Sequence, residues 1–375
     1  MRLVETRPSG ANRWTKCSAA PLFASRSPEQ PDNDPAREGT CAAWVAELVL
    51  KNQVLRATDL LGECHANGWQ VDLEMCGHVQ GYVDMIRADG GLISTERHVR
   101  LSPLVAGTLD NAASFINIPA PTNGPPHVVL RVRDFKYGFK LIEPDSPQVV
   151  IYAGALMNES IAQGMQVREV WTEIYQPRGF HPDGIHRRKK WDPAELSAQC
   201  EWIKQRAEEC HKPNPVATPG SHCIDCEAAT GCATLQMTAV NILTHVNDDR
   251  FSEKTPQELS NQLTFLREAK KIVTAATSAT ETEALTRHQS GERIPGYYMK
   301  ERFGHKKLTA GRNAIKALTG VDPVKEVLMS PAELKAAGVN DRQLSLLSRK
   351  PPIGHKLEPL DQDELKRDFE RKQDG

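Results

Sequence analysis

The segment His127–Lys136 reads HVVLRVRDFK, and it decides the fold prediction. Apolar and polar residues alternate in it as far as Arg133, which is the period of a β-strand with one buried face. Asp134 and Lys136 follow, and residues two apart on a strand point to the same side of the sheet. The segment therefore predicts a strand that ends in a carboxylate next to an ammonium group.

Segments on both sides of this strand predict an α/β fold, with a mixed central sheet flanked by helices. Strands are indicated by β-branched and aromatic residues between turn residues, and helices by apolar residues at helical spacing. Four strands are predicted: Ile93–Leu101, Gly107–Phe115, His127–Phe135 and Val167–Gln176. Helices are predicted over residues 38–62, 73–88, 147–163 and 193–209, and residues 25–37 are predicted to form a loop.

The sequence also predicts two domains. Residues 1–240 carry the strands and most of the motifs, and residues 241–375 are predicted to be mostly helical, with a charged tail. Two helix-start sequences support the second prediction, each with an N-cap hydroxyl, a proline and a glutamate. They are Thr255-Pro256-Gln257-Glu258 and Ser330-Pro331-Ala332-Glu333.

The composition limits the classes of protein to which this chain can belong. The 47 basic and 48 acidic residues balance, so any surface that binds DNA must be a local basic patch. Residues 1–5 lack the apolar stretch of a signal peptide, and no apolar run is long enough for a membrane span. Nine cysteines, an odd number, favour thiols and metal ligation in a reducing compartment. We therefore expect a cytoplasmic protein with no membrane association.

Asp110 and Asp134 are the candidate ligands of a divalent cation. Asp110 ends the sequence Gly107-Thr108-Leu109-Asp110, in which glycine allows a tight strand or turn. Carboxylate oxygens suit hard cations, and phosphodiester hydrolysis commonly uses such a cation. Lys136 would lie beside it and can orient or deprotonate the attacking water or stabilise charge. Taken alone, Asp-x-Lys is also a common surface ion pair.

Other polar residues extend this candidate site. Gln148 and Tyr152 are four residues apart and would share one face of a helix. The alternative is a helix cap followed by a core tyrosine. Glu47 and Glu96 are further carboxylates, although Glu96 is equally compatible with a solvated strand face.

The cysteines form a second candidate site. Cys223, Cys226 and Cys232 have C-x2-C-x5-C spacing, which is one thiolate short of a four-sulfur site. Such a site suits zinc or an iron–sulfur cluster, and the spacing does not separate them. The alternative is a set of free buried thiols. The candidates for the fourth ligand are Cys17, Cys200 and Cys210.

A basic run is the candidate surface for nucleic acid. It is followed by Trp191, which can stack on an unpaired base. The alternative is a solvated loop with Trp191 in the core. Arg178 is a further candidate near the cation site. The residues of the run expected to contact phosphates are Arg187, Arg188, Lys189 and Lys190.

The order of these motifs resembles the RecB-like branch of the PD-(D/E)XK nucleases. It is most similar to members with an iron–sulfur cluster, the AddB-type helicase-nucleases and the CRISPR-adaptation exonucleases. Within that branch, several segments resemble an uncharacterised phage and prophage family. They are Arg37-Glu38-Gly39-Thr40 with Glu47, Asp134-Phe135-Lys136-Tyr137-Gly138, Gln176-Pro177-Arg178 and Pro295-Gly296-Tyr297.

This resemblance implies a restriction-endonuclease-like core and a Mg²⁺- or Mn²⁺-dependent deoxyribonuclease. Its substrate would be single-stranded DNA or DNA ends, and its partners phage recombination or replication proteins in the host cytoplasm. Gln148 and Tyr152 would border the active site, and Cys17 would complete a 4Fe–4S cluster, with Zn²⁺ as the alternative. The metal ligands would be Asp110, Asp134, the carbonyl group of Phe135, and Glu47.

One position departs from the family pattern. Many members carry a metal-binding histidine in a Gly-Thr-x-x-His sequence, and Ala43 stands at that position here. Two other functions stay open, and the missing histidine supports the first of them. One is a DNA-binding module with a weak or inactive nuclease fold, and the other is a zinc-stabilised interaction protein that binds a partner through its helical C-terminal region.

Overall fold

A computed structural model describes residues 4–27, 32–117, 126–245, 255–303, 307–308, 312–321, 334, 338–349 and 352–359. The chain forms two compact units, Met1–Ala275 and Ala276–Gly375. The domain boundary that the sequence places at residue 240 stays a prediction.

The first unit is built around a five-stranded mixed sheet in the order β1-β2-β3-β4-β5. The pair β3–β4 is parallel and the other neighbours are antiparallel. A parallel pair needs a crossover, and the helix α5 (Pro147–Ala162) supplies it. This architecture confirms the predicted α/β fold. The strands are β1 (Leu92–Ser102), β2 (Val105–Asn117), β3 (His127–Phe135), β4 (Gln166–Tyr175) and β5 (His186–Trp191).

Helices cover this sheet and enclose two apolar cores. One core joins α5 and α6 to the strands, and the other joins α3 and α4 to aromatic residues at the ends of β3 and β4. Side-chain caps start three of the helices: Asn33, Asp72 and Asp192 each accept a hydrogen bond from a backbone N–H in the first turn. The remaining helices of this unit are α1 (Ala11–Trp14), α2 (Ala20–Arg26), α3 (Asp34–Leu50), α4 (Leu73–Asp89), α6 (Pro193–Cys210) and α7 (Ala233–His245).

Three local predictions differ from the structure. The helix predicted over residues 38–62 begins at Asp34 and ends at Leu50, because Asn33 caps it and a short 3₁₀ turn over Ala57–Leu60 follows. The predicted loop over residues 25–37 overlaps α2 and α3, and its residues 28–31 lie outside the described part. Strand β5 was not predicted, because its sequence reads as a basic run.

The boundary between the two units falls within α8 (Pro256–Gln289). The predicted capping box is present at its start, where Thr255 and Glu258 exchange side-chain to backbone hydrogen bonds. The predicted helix start at Ser330 and the charged tail lie outside the described residues. The second unit contains α9 (Arg312–Thr319), α10 (Asp341–Leu347) and two antiparallel strand pairs, β6 (Tyr297–Phe303) with β9 (Pro352–Pro359) and β7 (Lys307–Leu308) with β8 (Ser348–Arg349).

No helix within the described ranges has the length and apolar character needed to cross a membrane.

Candidate active site and cysteine site

The two candidate carboxylates lie side by side on neighbouring strands. Asn111 of β2 pairs with Arg133 of β3, so the antiparallel register places Asp110 next to Asp134 on the same side of the sheet. The backbone N–H of Phe135 donates a hydrogen bond of 2.9 Å to Asp110 Oδ2. This bond holds the Asp110 carboxylate at the end of β3.

Gly107 lies in β2, where the absence of a side chain lets the N-terminal segment at Pro8 pack closely against the strand. A Cβ atom at position 107 would lie 2.8 Å from the ring of Pro8, closer than van der Waals contact permits. Strand β2 can therefore run beneath the N-terminal segment and still bring Asp110 to the site. This packing explains the glycine of the Gly107-x-x-Asp110 sequence.

Asp134 is almost completely buried, with a side-chain exposure of 1%. Its Oδ2 lies 2.9 Å from Lys136 Nζ. This ion pair is the polar contact of Oδ2, whereas Oδ1 accepts no hydrogen bond from any group that the structure describes. A buried carboxylate oxygen without a hydrogen bond is costly, and a bound cation would give Oδ1 a partner.

The predicted motif residues of α5 are connected to this pair. Lys136 Nζ donates to Gln148 Oε1 at 3.0 Å, and Gln148 Nε2 approaches the hydroxyl of Tyr152 at 3.5 Å. Both residues lie in the first turns of α5, which begins at Pro147. The structure thus brings together Asp110, Asp134, Lys136, Gln148 and Tyr152, the five residues that the sequence predicts to be catalytic.

Burial and mutual repulsion set the charges of the site. Burial, followed by the nearby charge of Asp134, raises the pKa of Asp110 to about 7. Burial acts against the charge of Lys136, but Asp134 and Asp110 outweigh it, and the pKa of Lys136 is raised. Lys136 is therefore a cation at neutral pH, which fits a role in charge stabilisation better than one as a base.

The raised pKa of Asp110 gives a first prediction. The folded protein keeps this proton up to about pH 7, whereas the carboxyl group ordinarily loses it near 3.8. The contribution of this proton to stability is complete below pH 3.8 and is lost as pH rises from 3.8 to about 7, because the unfolded chain ionises there while the folded protein does not. Above about pH 7 the folded protein carries a buried, repelled charge. Asp110→Asn avoids that charge and should stabilise the metal-free protein by on the order of 1–2 kcal/mol at pH 8.

Thermal unfolding in EDTA between pH 5 and pH 8 measures this effect. The stability difference between Asp110→Asn and the unmodified protein should grow with pH. The matched control is Asp183→Asn, whose side chain is 81% exposed and should show no such trend. A difference that is constant or shrinks with pH would rule out the buried, repelled carboxylate.

The other predicted ligand, Glu47, also faces Asp110. A small cavity lies between α3 and the strand ends, and Glu47, Glu96, Asp110 and Phe135 contribute to its lining. Glu47 is also 2.5 Å from Lys51, one turn further along α3. Ala43 lines the same cavity, so the position without the expected histidine does face the candidate cation site.

Arg178 has partners within the protein. Its guanidinium lies 2.7 Å from the carboxylate of Glu38 on α3, and it stacks over the rings of Tyr137 and Phe139. This cluster joins the segment after β4 to α3. Glu38 balances the Arg178 charge in this structure, and the predicted contact of Arg178 with DNA stays a prediction.

The predicted basic run forms β5, so its side chains point alternately to the two faces of the sheet. Arg187 is buried and donates to the carbonyl of Ile142 and to Gln176 Oε1, both at 2.7 Å. Trp191 is also buried, and its indole N–H donates to Thr172. Contrary to the prediction, Arg187 is not available to nucleic acid in this structure, and the burial of Trp191 agrees with the alternative of a core tryptophan.

The other three basic residues of β5 keep contact with solvent. Arg188 and Lys190 lie over the ring of Trp171, and Lys190 also pairs with Glu169. Lys189 lies over the Trp191 ring. Their predicted phosphate contacts remain predictions.

The four cysteines predicted to form one site line a single cavity. Cys17 comes from the segment before α2, and the other three come from the segment between α6 and α7. Backbone N–H groups approach two of the sulfurs at 3.4 Å: Thr218 donates to Cys17 and Gly220 to Cys223. Hydrogen bonds of this kind stabilise metal-bound thiolates.

The structure separates Cys17 from the other candidates for the fourth ligand. The thiol of Cys200 lies against Gly154 in the core between α5 and α6. Cys210 donates to the carbonyl groups of Trp14 and Arg206. Of these three cysteines, Cys17 is the one that lines the cavity with Cys223, Cys226 and Cys232.

The donor set of this cavity fits the predicted cofactor chemistry. Burial raises the pKa values of Cys223 and Cys226, so both thiols keep their protons in the metal-free protein. A metal would displace those protons, which couples its binding to pH and to folding. Within the described ranges, no three His, Cys, Asp or Glu side chains meet the spacing of a preformed metal site.

One further residue of this cavity was not predicted from the sequence. His222 also lines it, and its Nε2 is buried with no hydrogen-bond partner among the described residues. Burial lowers the pKa of His222, which favours a neutral ring. Its position directly before Cys223 was the signal in the sequence, since imidazole and thiolate groups share the same metals.

The model of a family described as "Protein of unknown function (DUF2800)" matches residues 6–338, which is most of the chain.

Proposed function

This chain belongs to the DUF2800 family, and we propose that it is a metal-dependent DNA nuclease of the RecB-like PD-(D/E)XK type. The observation that carries this proposal is the pairing of Asp110 and Asp134 on neighbouring strands, with Lys136 held between Asp134 and Gln148. The mixed sheet, with α5 as its crossover, agrees with such a core.

The proposed metal is Mg²⁺ or Mn²⁺, held by the carboxylates of Asp110, Asp134 and Glu47 and by the carbonyl group of Phe135. When bound, it would activate water and neutralise charge at the phosphate. Asp134 contributes a buried carboxylate whose Oδ1 has no hydrogen-bond partner among the described residues. The hydrogen bond from the Phe135 N–H keeps the Asp110 carboxylate in place beside it.

Lys136 is proposed to stabilise negative charge on the phosphate in the transition state. Its raised pKa keeps it protonated, and Gln148 orients its ammonium group. Tyr152 lies behind Gln148 and limits the movement of that side chain. Such preorganised charge acts most strongly where burial excludes water.

A Lys136→Met variant tests this role. Single-turnover cleavage should slow by about 10²-fold or more, because a fixed donor at the developing charge is lost. The affinity for DNA, measured in Ca²⁺ by fluorescence anisotropy, should change far less. Lys212→Met, at an exposed lysine, is the matched control. A variant that binds DNA weakly but cleaves at the normal rate would contradict the catalytic role.

The proposed substrate is single-stranded DNA or DNA ends. A panel of labelled substrates tests this: linear single strands, blunt duplex, covalently closed circular duplex, and RNA, each with Mn²⁺, Mg²⁺ or EDTA. Degradation of the linear DNA in metal, with the closed circle intact, supports the proposal. Cleavage of RNA alone, or of all substrates in EDTA, would contradict it.

We also propose that Cys17, Cys223, Cys226 and Cys232 hold a 4Fe–4S cluster, with Zn²⁺ as the alternative occupant. All four line one cavity, and two receive backbone N–H groups. The cluster would tie the N-terminal segment to the end of the nuclease core. The proposed setting is the host cytoplasm, beside phage recombination or replication proteins.

A second candidate function is a DNA-binding module that has lost cleavage. Ala43 in place of the expected histidine and the pairing of Glu47 with Lys51 favour it. Such a protein would bind the DNA panel without degrading it in any metal.

A further inference from the structure

The cavity beside Asp110 contains groups that the proposed function does not use. Glu96 comes from β1 and Tyr82 from α4, and they face Ala43 of α3 across the same space. The carboxylates of Glu47 and Asp110 complete a lining with three acidic groups. This concentration of negative charge beside a metal-binding motif needs a physical explanation.

Glu96 is held opposite Asp110 by the strand register. Thr95 pairs with Asn111 and Arg97 with Leu109, so Glu96 and Asp110 are cross-strand neighbours. Like charges in that relation are destabilising. Glu96 also has a φ of 50°, the left-handed region that non-glycine residues rarely adopt. The chain tolerates both of these unfavourable features at a position that faces the cavity.

Tyr82 provides an independent observation. Its side chain is 1% exposed, its ring stacks on Phe135 at 4.8 Å, and its hydroxyl has no hydrogen-bond partner among the described residues. Burial raises the pKa of Tyr82, and the charges of Asp110 and Asp134 raise it further. A buried hydroxyl without a partner is unfavourable, so a polar occupant of the cavity is expected.

We propose that Glu96 is a cation ligand of this site, on the side where Ala43 leaves no imidazole, and that the hydroxyl of Tyr82 hydrogen-bonds a water on that cation. This inference rests on the proposed nuclease function. It adds Glu96 to the carboxylate donors Asp110, Asp134 and Glu47 of the proposed site. A donor set of this kind favours Mg²⁺ and Mn²⁺ over metals that prefer nitrogen.

Mn²⁺ binding measured by electron paramagnetic resonance tests the assignment without any cleavage step. Glu96→Gln should weaken Mn²⁺ binding by about 10- to 100-fold, because a charged ligand is lost. Tyr82→Phe should weaken it by about 5-fold, the equivalent of one hydrogen bond. The control, Glu63→Gln, removes a charge at an exposed position and should bind as the unmodified protein does.

A second variant separates ligand loss from misfolding. Adding Ala43→His to Glu96→Gln should restore part of the Mn²⁺ affinity and should increase the preference for Co²⁺ over Mg²⁺, since the new ligand is an imidazole. The metal-free Glu96→Gln protein should unfold at the same temperature as the unmodified protein or higher, because a repelling carboxylate has gone.

The outcomes distinguish this inference from the function on which it rests. If Glu96→Gln binds Mn²⁺ normally while Asp134→Asn does not, Glu96 is no ligand and the nuclease proposal survives. If the unmodified protein binds no Mn²⁺, both proposals fail. If Ala43→His leaves the affinity and metal preference of Glu96→Gln unchanged, the proposed position of Glu96 beside Ala43 is wrong.

Discussion

Asp134→Asn is expected to reduce Mn²⁺-dependent DNA cleavage by at least about 10²- to 10³-fold, because the bound cation supplies several kcal/mol of charge stabilisation in the transition state. Asp134 is buried at the end of β3, its Oδ1 accepts no hydrogen bond from described groups, and its Oδ2 lies 2.9 Å from the Lys136 ammonium. Asn keeps the shape of the side chain and removes its charge. The loss should therefore come from cation binding and not from repacking.

The DNA cleavage assay should include a second site variant and a control variant. Asp110→Asn should show a loss of similar size, since both carboxylates are proposed to hold one cation. Asp183→Asn lies at an exposed position and should cleave at the normal rate. Circular dichroism and thermal unfolding would establish that each variant is folded. Normal cleavage by folded Asp134→Asn would contradict the proposed cation site.

Cys17→Ser is expected to cause the largest loss of stability. Cys17 joins a cavity whose other three cysteines lie more than two hundred residues along the chain. Next to it, the Ala19 N–H donates to the Val216 carbonyl at 3.2 Å. Loss of one ligand frees both ends of this long loop. We expect a decrease of about 3 kcal/mol or more in unfolding free energy, which is roughly 6–12 °C in Tm.

Anaerobic purification allows the iron content and the visible absorbance of the protein to be measured. The unmodified protein should contain iron and show broad visible absorbance from sulfur-to-iron charge transfer, and Cys17→Ser should lose both. Cys64→Ser, at an exposed thiol, is the matched control and should keep them. Colourless protein with one zinc would retain the four-cysteine site and exclude the iron–sulfur cluster. Full metal content and unchanged Tm in Cys17→Ser would contradict the proposal that Cys17 is a ligand and ties the N-terminal segment to the nuclease core.

The sequence predicted the parts of the fold that local patterns encode. Alternation in His127–Phe135 fixed a central strand and placed Asp134 and Lys136 on one side of it, and the structure has both features. Strand β5 escaped prediction because Arg187 and Lys189, on the same face as the buried Trp191, are as basic as the exposed residues between them, which hides the period of two. For the same reason Arg187 was assigned to DNA, although it supports the loop at Ile142.

Long-range features of the candidate site were less accessible. The approach of Cys17 to the other three cysteines followed from resemblance, because no spacing rule connects residues so far apart. Tyr82 carried no signal at all, since a tyrosine in an apolar helix reads as core. The left-handed backbone of Glu96 and its register with Asp110 depend on strand pairing, which short-range patterns do not specify.

The most direct test of the central claim is a time course of the purified protein with 5′-labelled linear single-stranded DNA, in parallel with Mn²⁺ and with EDTA. The proposed nuclease function predicts progressive shortening of the DNA in Mn²⁺ and none in EDTA, with Asp134→Asn inactive in both. DNA that is bound but stays intact in Mn²⁺, or equal cleavage by Asp134→Asn, would contradict it.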